Sequence, residues 1–244
     1  MVKPRIEYPG TIIHEREPEN HFRFQDIGLR EYYHDVMKRI PGLLGFEGKA
    51  LHIGCGTAAF ENLLCDKLEF ARFYGLEMSS TLLRIGEAIS SRFGYADRIN
   101  LKTWSDDLLP YPDNEFDLVF SLISMHQWKN PQKTFPEIIR VLKRGGTVFV
   151  SDIRRDQFYM PFYFFAQKMG SSFGKEIAQN LINGYKASYT AAQVKEILES
   201  QGINSWNIDK EGKWLNITWM PSESNDSGLT QVSTDEENSE RENS

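Results

Sequence analysis

The chain is 244 residues long, with 28 Lys and Arg against 34 Asp and Glu and a formal net charge of −6. That length suits one sizeable α/β domain with short appendages, and the negative balance leaves no electrostatic footprint for nucleic acid, although the acidic C-terminal stretch would mask a local basic patch. No apolar run could span a bilayer, MVKPRIEYPG lacks a signal-peptide core, and Cys55 and Cys65 make neither a disulfide framework nor a metal-ligand spacing, so a reducing cytoplasm and no metal are expected.

Residues 1–45 form a polar and aromatic lead-in. Within it a helix is predicted from about Gly28 to Ile40, stopped by Pro41, with Leu29, Tyr32, Val36, Met37 and Ile40 roughly on one face. That helix either packs on a sheet or brings Tyr32 or Tyr33 to the charged end of a ligand. His14, His21 and His34 read as surface or packing residues.

The stretch KALHIGCGTAAF, Lys49 to Phe60, is a short buried strand running into a glycine turn and a helix opening at Thr57. Gly54 and Gly56 let the backbone turn tightly and approach a ligand where a Cβ would collide. The helix start presents unpaired N–H groups to whatever is bound. A second strand, ARFYGLE, ends on Glu77, 23 residues after Gly54. That is where nucleoside-binding folds place a carboxylate for the ribose hydroxyls. Ser79 or Ser80 caps a third helix with Leu82, Leu83, Ile85 and Ile89 inward. RINLKTW is a third strand, Phe116 to Leu122 a fourth, PQKTFPEIIRVL a helix, KRGG a turn and TVFVSD a fifth strand. This alternation predicts a parallel sheet with helices on both faces.

The segment 49–152 resembles the class I S-adenosylmethionine-dependent methyltransferases, in the broad group that methylates small molecules. LHIGCGT (51–57), YGLEMSSTLL (74–83), LLPYPDNEFDLVFS (108–121) and EIIRVLKRGGTVFVSD (137–152) carry the resemblance in order and spacing. SYTAAQVKEILESQGI (188–203) is similar to that family's penultimate helix, and WNIDKEGKWLNITWMP (206–221) to its closing hairpin. The resemblance implies a doubly wound, Rossmann-like sheet of seven strands in the order 3-2-1-4-5-7-6, the last antiparallel, spanning residues 1–221. S-adenosylmethionine is the implied cofactor and a small organic molecule the implied acceptor.

By the same resemblance, Gly54, Cys55 and Gly56 approach the methionine part of the cofactor, Glu77 holds the ribose and Met78 lies on the adenine. Asp106 bonds the adenine amino group, one position beyond the commonest register at Ser105. Ser121 and Leu122 flank the methionine end, and His126 and Trp128 stand beside the substrate opening. Two departures stand out. His52 replaces the usual Asp or Glu two residues before the first glycine, and Ala58 replaces a third glycine. The first makes a non-catalytic cofactor-binding relative the alternative reading. A nicotinamide-dependent oxidoreductase also starts from a glycine turn, but leaves PYPDNEFD and VLKRGG without a role.

A sulfonium methyl group is already activated, so alignment and desolvation carry most of the chemistry and no catalytic triad is expected. Where the acceptor carries a proton a base is needed, and His126 is the candidate by position, with a structural loop histidine as the plainer reading. SLISMHQW is not the Asn/Asp-Pro-Pro-aromatic run of amide or adenine methylation, and a thiol cluster and paired strand-end carboxylates are both missing. A small acceptor with an apolar portion remains. Residues 154–187, with FYMPFYFF at 158–165, are predicted to form a cap at the carboxyl end of the sheet. Tyr159, Tyr163 and Arg154 are its candidate substrate contacts, although core packing uses the same aromatics. Residues 222–244 are polar and acidic and are expected to be disordered.

Overall fold

Strand β1 (Lys49–Ile53) lies inside a seven-stranded sheet with the order β3-β2-β1-β4-β5-β7-β6. The computed structural model describes residues 4–9, 17–105, 108–203 and 206–220. Ala50, Leu51 and Ile53 are buried because helices cover both faces, so a central parallel strand reads as a continuous apolar run. Leu51 pairs with Tyr74 of β2 (Arg72–Glu77) on one side and Val119 of β4 (Phe116–Leu122) on the other. β3 (Ile99–Thr103) adds in parallel to β2. β7 (Trp214–Trp219) runs antiparallel between β5 (Leu142–Ile153) and β6 (Asn207–Glu211), closing the sheet with a hairpin.

Helices α1 (Pro18–Arg23) and α2 (Arg30–Arg39), joined by a π-helical turn at Phe24–Gly28, are the helical part of the lead-in. The crossovers are α3 (Ala59–Cys65), α4 (Ser80–Arg92) and α5 (Pro131–Val141). Ser79 caps α4 by accepting from the Leu82 N–H at 3.3 Å. The helix after the glycine turn starts at Ala59, not Thr57, because Ala58 adopts a left-handed φ of 54°. KRGG is not a free turn either. It is a bulge within β5: Leu142 sits opposite Phe116 and Thr147 opposite Leu118, and the residues between arch out through Gly145 at φ 79°.

Helices α6 (Tyr159–Phe173) and α7 (Lys175–Ala187) form a hairpin, and α8 (Ala191–Ser200) follows with a Thr190–Gln193 capping box. A Cβ on Gly170 would come within 2.5 Å of the Ala178 Cβ, so glycine lets the two arms of the hairpin touch. One core, including Phe60, Phe73, Phe120 and Phe162, fills the face under the lead-in and the hairpin. The other, including Leu51, Phe116, Phe135 and Leu215, fills the opposite face.

The loop before β4 is tied down by one ion-pair network. Arg140 reaches Glu137 at 2.7 Å and Asp113 at 2.7 Å, and donates to the carbonyls of Leu109 and Tyr111. Glu137 also accepts the Leu109 N–H at 2.9 Å. The Arg140 hydrogen bonds hold the Glu137 carboxyl below its usual range. A depressed folded-state pKa means its contribution is present above the unfolded value of about 4.3 and is lost as pH falls through the folded one. Glu137→Ala should cost about 2 kcal/mol in urea unfolding at neutral pH, and the difference from the natural chain should shrink below about pH 4.

Candidate functional site

The site is built at the carboxyl ends of β1, β2, β4 and β5, where open α/β sheets bind ligands. Gly54 and Gly56 take φ of 80° and 58°. A Cβ on Gly54 would sit 2.1 Å from Ser124 Oγ, and one on Gly56 2.0 Å from Gln25 Nε2, so neither position admits a side chain. The N–H groups of Gly54 and Cys55 donate to the Leu76 carbonyl at 2.7 and 3.0 Å, fixing the turn to β2. Burial pushes the Cys55 thiol well up and Cys65 up to about 12, so neither is a thiolate nucleophile at neutral pH.

Glu77 ends β2 with its carboxylate already oriented. One oxygen accepts from Gly56 N–H at 3.0 Å, the other from Met78 and Ser79 N–H at 2.8 and 3.0 Å. Burial raises its carboxyl above the usual range, opposed by those three donors. Met78, Leu82, Trp104 and Ser105 line the same cavity beyond it. Asp106 lies outside the described residues.

At the end of β4, Leu122 lines the cavity and Ser121 stands behind it. The Ser121 hydroxyl donates to the Ile53 carbonyl at 2.9 Å and also lies 2.9 Å from Ser124 Oγ, clamping β4 to the glycine strand. Ser124, unmarked in the sequence, reaches the cavity here in place of Ser121. His126 follows on a short 3₁₀ turn, buried, with Nδ1 2.9 and 3.1 Å from the two oxygens of Asp152. Asp152 also accepts the backbone N–H of His126 at 2.6 Å and of Ile153 at 2.7 Å. A carboxylate oxygen accepts here, so Nδ1 is the donor, and in the neutral tautomer Nε2 is the ring's acceptor. The Nε2 edge meets Gly184 of α7, where a Cβ would stand 3.0 Å away.

A second carboxylate-backed imidazole closes the inner end. His52 Nδ1 lies 2.7 Å from Glu61 Oε1, both side chains are buried, and the ring stacks on Phe120 at 4.4 Å. Among the described residues, His52 Nε2 and Glu61 Oε2 have no hydrogen-bond partner. The helix after the glycine turn thus places a carboxylate behind His52, which lines the cavity while Glu61 does not.

The lead-in crosses above these groups. Gln25 Oε1 accepts from Thr57 N–H at 2.9 Å and Thr57 Oγ1 at 2.7 Å, bridging the π-helical turn to the first turn of α3. Phe24, Leu29 and Tyr33 give the cavity an apolar wall, and His21 lines it as well, so that histidine is not a surface residue. His14 lies outside the described residues. Tyr32 turns away to pack on Trp214 at 4.4 Å. Residues 4–9 run along α7: Arg5 donates to the Ala187 carbonyl at 2.6 Å, and Tyr8 bonds Asn180 and sets its ring edge-on to His126 at 5.2 Å.

Arg154, Tyr159 and Tyr163 are not among the residues that line this cavity; its cap residues are Asn180, Leu181 and Gly184 of α7. The phase of α6 explains the difference. Phe162 and Ala166 point inward, while Tyr159 sits against Tyr185 at 5.2 Å and Tyr163 against Tyr159 at 5.9 Å. Arg154 leaves β5 toward Asp156, 2.9 Å away, on another surface.

The arrangement fits a nucleoside cofactor with an amino-acid end: glycines without room for a Cβ, a buried carboxylate at the second strand's end, and orphaned buried polar atoms on His52 and Glu61. Among the described residues no group of three His, Cys, Asp or Glu could hold a metal ion.

A family model described as a methyltransferase domain matches residues 51–150. A sterol 4-C-methyltransferase of Caenorhabditis elegans is 29% identical over 154 residues, covering 63% of this chain and 45% of that protein. A demethylmenaquinone methyltransferase of Geobacillus stearothermophilus is 29% identical over 150 residues, covering 60% and 63%. The chain thus spans about half to two thirds of the length of these relatives. Among solved structures, a SAM-dependent methyltransferase from Aquifex aeolicus superposes with a TM-score of 0.61 at 17% identity, covering 83% of this chain and 97% of that one. That last likeness bears on the fold alone.

Proposed function

We propose that the chain, whose residues 51–150 match the methyltransferase-domain model, acts as a class I S-adenosylmethionine-dependent methyltransferase and methylates a small organic acceptor with an apolar portion. The observation that carries this reading is His126, backed by Asp152 and opening into the cavity formed by the glycine turn and Glu77. The cofactor supplies an activated methyl group on a sulfonium. Gly54, Cys55 and Gly56 hold its methionine part, Glu77 its ribose, and Met78 its adenine, with Trp104 and Ser105 nearby. Asp106 keeps its expected role toward the adenine amino group as part of this proposal. Leu122 borders the methionine end, and Ser121 acts through the β1–β4 clamp.

His126 Nε2 takes the proton of the acceptor's nucleophilic atom as the new bond to carbon forms, and Asp152 stabilises the resulting imidazolium. Phe24, Leu29, Tyr33 and Leu181 exclude water and fit the apolar portion of the acceptor. Sterol and demethylmenaquinone, the acceptors named for the relatives, are apolar molecules of this kind. The same reading sets the protein in a reducing cytoplasm, with both cysteines free and buried.

Isothermal titration with S-adenosylmethionine and S-adenosylhomocysteine tests the first half. Heat with micromolar affinity is expected, and no heat at millimolar ligand removes the reading. Transfer of a labelled methyl group to a panel of phenols, quinols and sterols tests the second half. The alternative, a binding subunit without turnover, was favoured by His52. It would give the titration signal and no labelled product from the panel or from cell extract. The Glu61 carboxylate beside His52 weakens that alternative.

A further inference from the structure

The helical hairpin carries a local excess of positive charge on a domain whose charges balance, since the acidic residues at 222–244 account for the net charge of the whole chain. Lys168, Lys175 and Lys186 stand exposed on it against Glu176, while Arg154 just before it is paired with Asp156 and Arg155 is buried. Helix α6 contains no carboxylate. Its first turns leave Phe158 87%, Met160 55% and Phe164 64% exposed. Met160, Phe164 and Lys168 are spaced by four, so one stripe runs from apolar to cationic along the outer face. Beside the apolar end lies an open cleft of about 800 Å³, whose lining includes Phe158, Tyr159, Pro161, Lys186 and the Arg154–Asp156 pair. Aromatic side chains grouped on an outer face mark a contact surface.

We propose that this face of the hairpin docks on the surface of an anionic lipid bilayer, with Phe158, Met160 and Phe164 entering the headgroup boundary and Lys168 and Lys186 meeting lipid phosphates. Charge selects this occupant. A second copy meeting the same face across a two-fold axis would set lysines against lysines, whereas an anionic interface satisfies the cations and the apolar stripe together. No helix among the described residues is long and apolar enough to cross a membrane, so the contact is interfacial. It stands independently of methyl transfer, because none of the residues involved lines the cavity at the glycine turn.

The full-length protein is sedimented with vesicles of phosphatidylglycerol and phosphatidylcholine, and with phosphatidylcholine alone. Binding is expected to be roughly tenfold stronger to the anionic vesicles and to weaken in high salt. Phe158→Ser with Phe164→Ser should remove it, and Lys168→Glu with Lys186→Glu should remove the preference for phosphatidylglycerol, with melting temperatures unchanged. Leu44→Ser, at an exposed leucine elsewhere, should bind like the natural chain. The idea is overturned if the natural chain stays in the supernatant, if the aromatic pair of substitutions leaves binding intact, or if Leu44→Ser loses as much. It is also overturned if light scattering shows a dimer that the aromatic substitutions split while no vesicles are bound. If the aromatic variant fails to fold, the charge-reversed pair decides.

Discussion

Glu77→Ala should bind S-adenosylhomocysteine about 30- to 700-fold more weakly than the natural chain, which corresponds to roughly 2–4 kcal/mol for losing hydrogen bonds to a charged acceptor. The carboxylate is held by Gly56, Met78 and Ser79 N–H groups before any ligand arrives, so little ordering is left to bind the ribose. Its loss also frees the Gly56 N–H, and the glycine turn keeps only its bonds to the Leu76 carbonyl at the end of β2. Stability should fall less than affinity, because desolvation already works against this buried carboxylate. Glu77→Gln keeps the volume but turns a donor toward one of the same N–H groups, so it should rescue little. Calorimetric titration and a melting curve on each variant check both statements, and an S-adenosylhomocysteine affinity within threefold of the natural chain would remove Glu77 from the cofactor site.

That Glu77 was legible at all is a matter of chain geometry. A strand, a tight turn, a crossover helix and a second strand leave little freedom in length, so the distance from Gly54 to Glu77 encodes adjacency at the carboxyl ends of neighbouring strands. The strand order follows from the same regularity. Contacts between a strand and the flank of a helix have no such ruler. Glu61 sits in an ordinary helix, and nothing in AAFENLL announces that its side chain is buried against His52. Asp152 ends a predicted strand as Glu77 does, which could have marked it, but its partner lies on a loop from another strand. The aromatic run at 158–165 is ambiguous for a different reason: apolar residues at nearly every position erase the helical phase, so inward Phe162 and outward Phe164 look alike. Gln25 and Tyr8 are illegible because a lead-in segment has no repeating partner to fix where it crosses.

His126→Ala should lower kcat by about 10²- to 10⁴-fold on an acceptor whose nucleophilic atom carries a proton, the range for removing a positioned general base. S-adenosylhomocysteine affinity should change little, because the imidazole bonds Asp152 and, among the described residues, makes no hydrogen bond to the glycine turn. The truncation leaves a space beside Gly184, so added imidazole should restore part of the rate. Asp152→Asn tests the partner. Asp152 takes three donors, the His126 ring and the N–H groups of His126 and Ile153, and an amide cannot accept all of them. The ring then loses its fixed tautomer, and kcat should fall with it while acceptor KM stays within a few-fold. A structural loop histidine predicts another pattern: lower melting temperature, cofactor affinity and kcat falling together, and no response to imidazole. If both variants turn over at the natural rate, proton removal belongs to another group, and the first to examine is His52 at the other end of the cavity, whose Nε2 has no hydrogen-bond partner among the described residues.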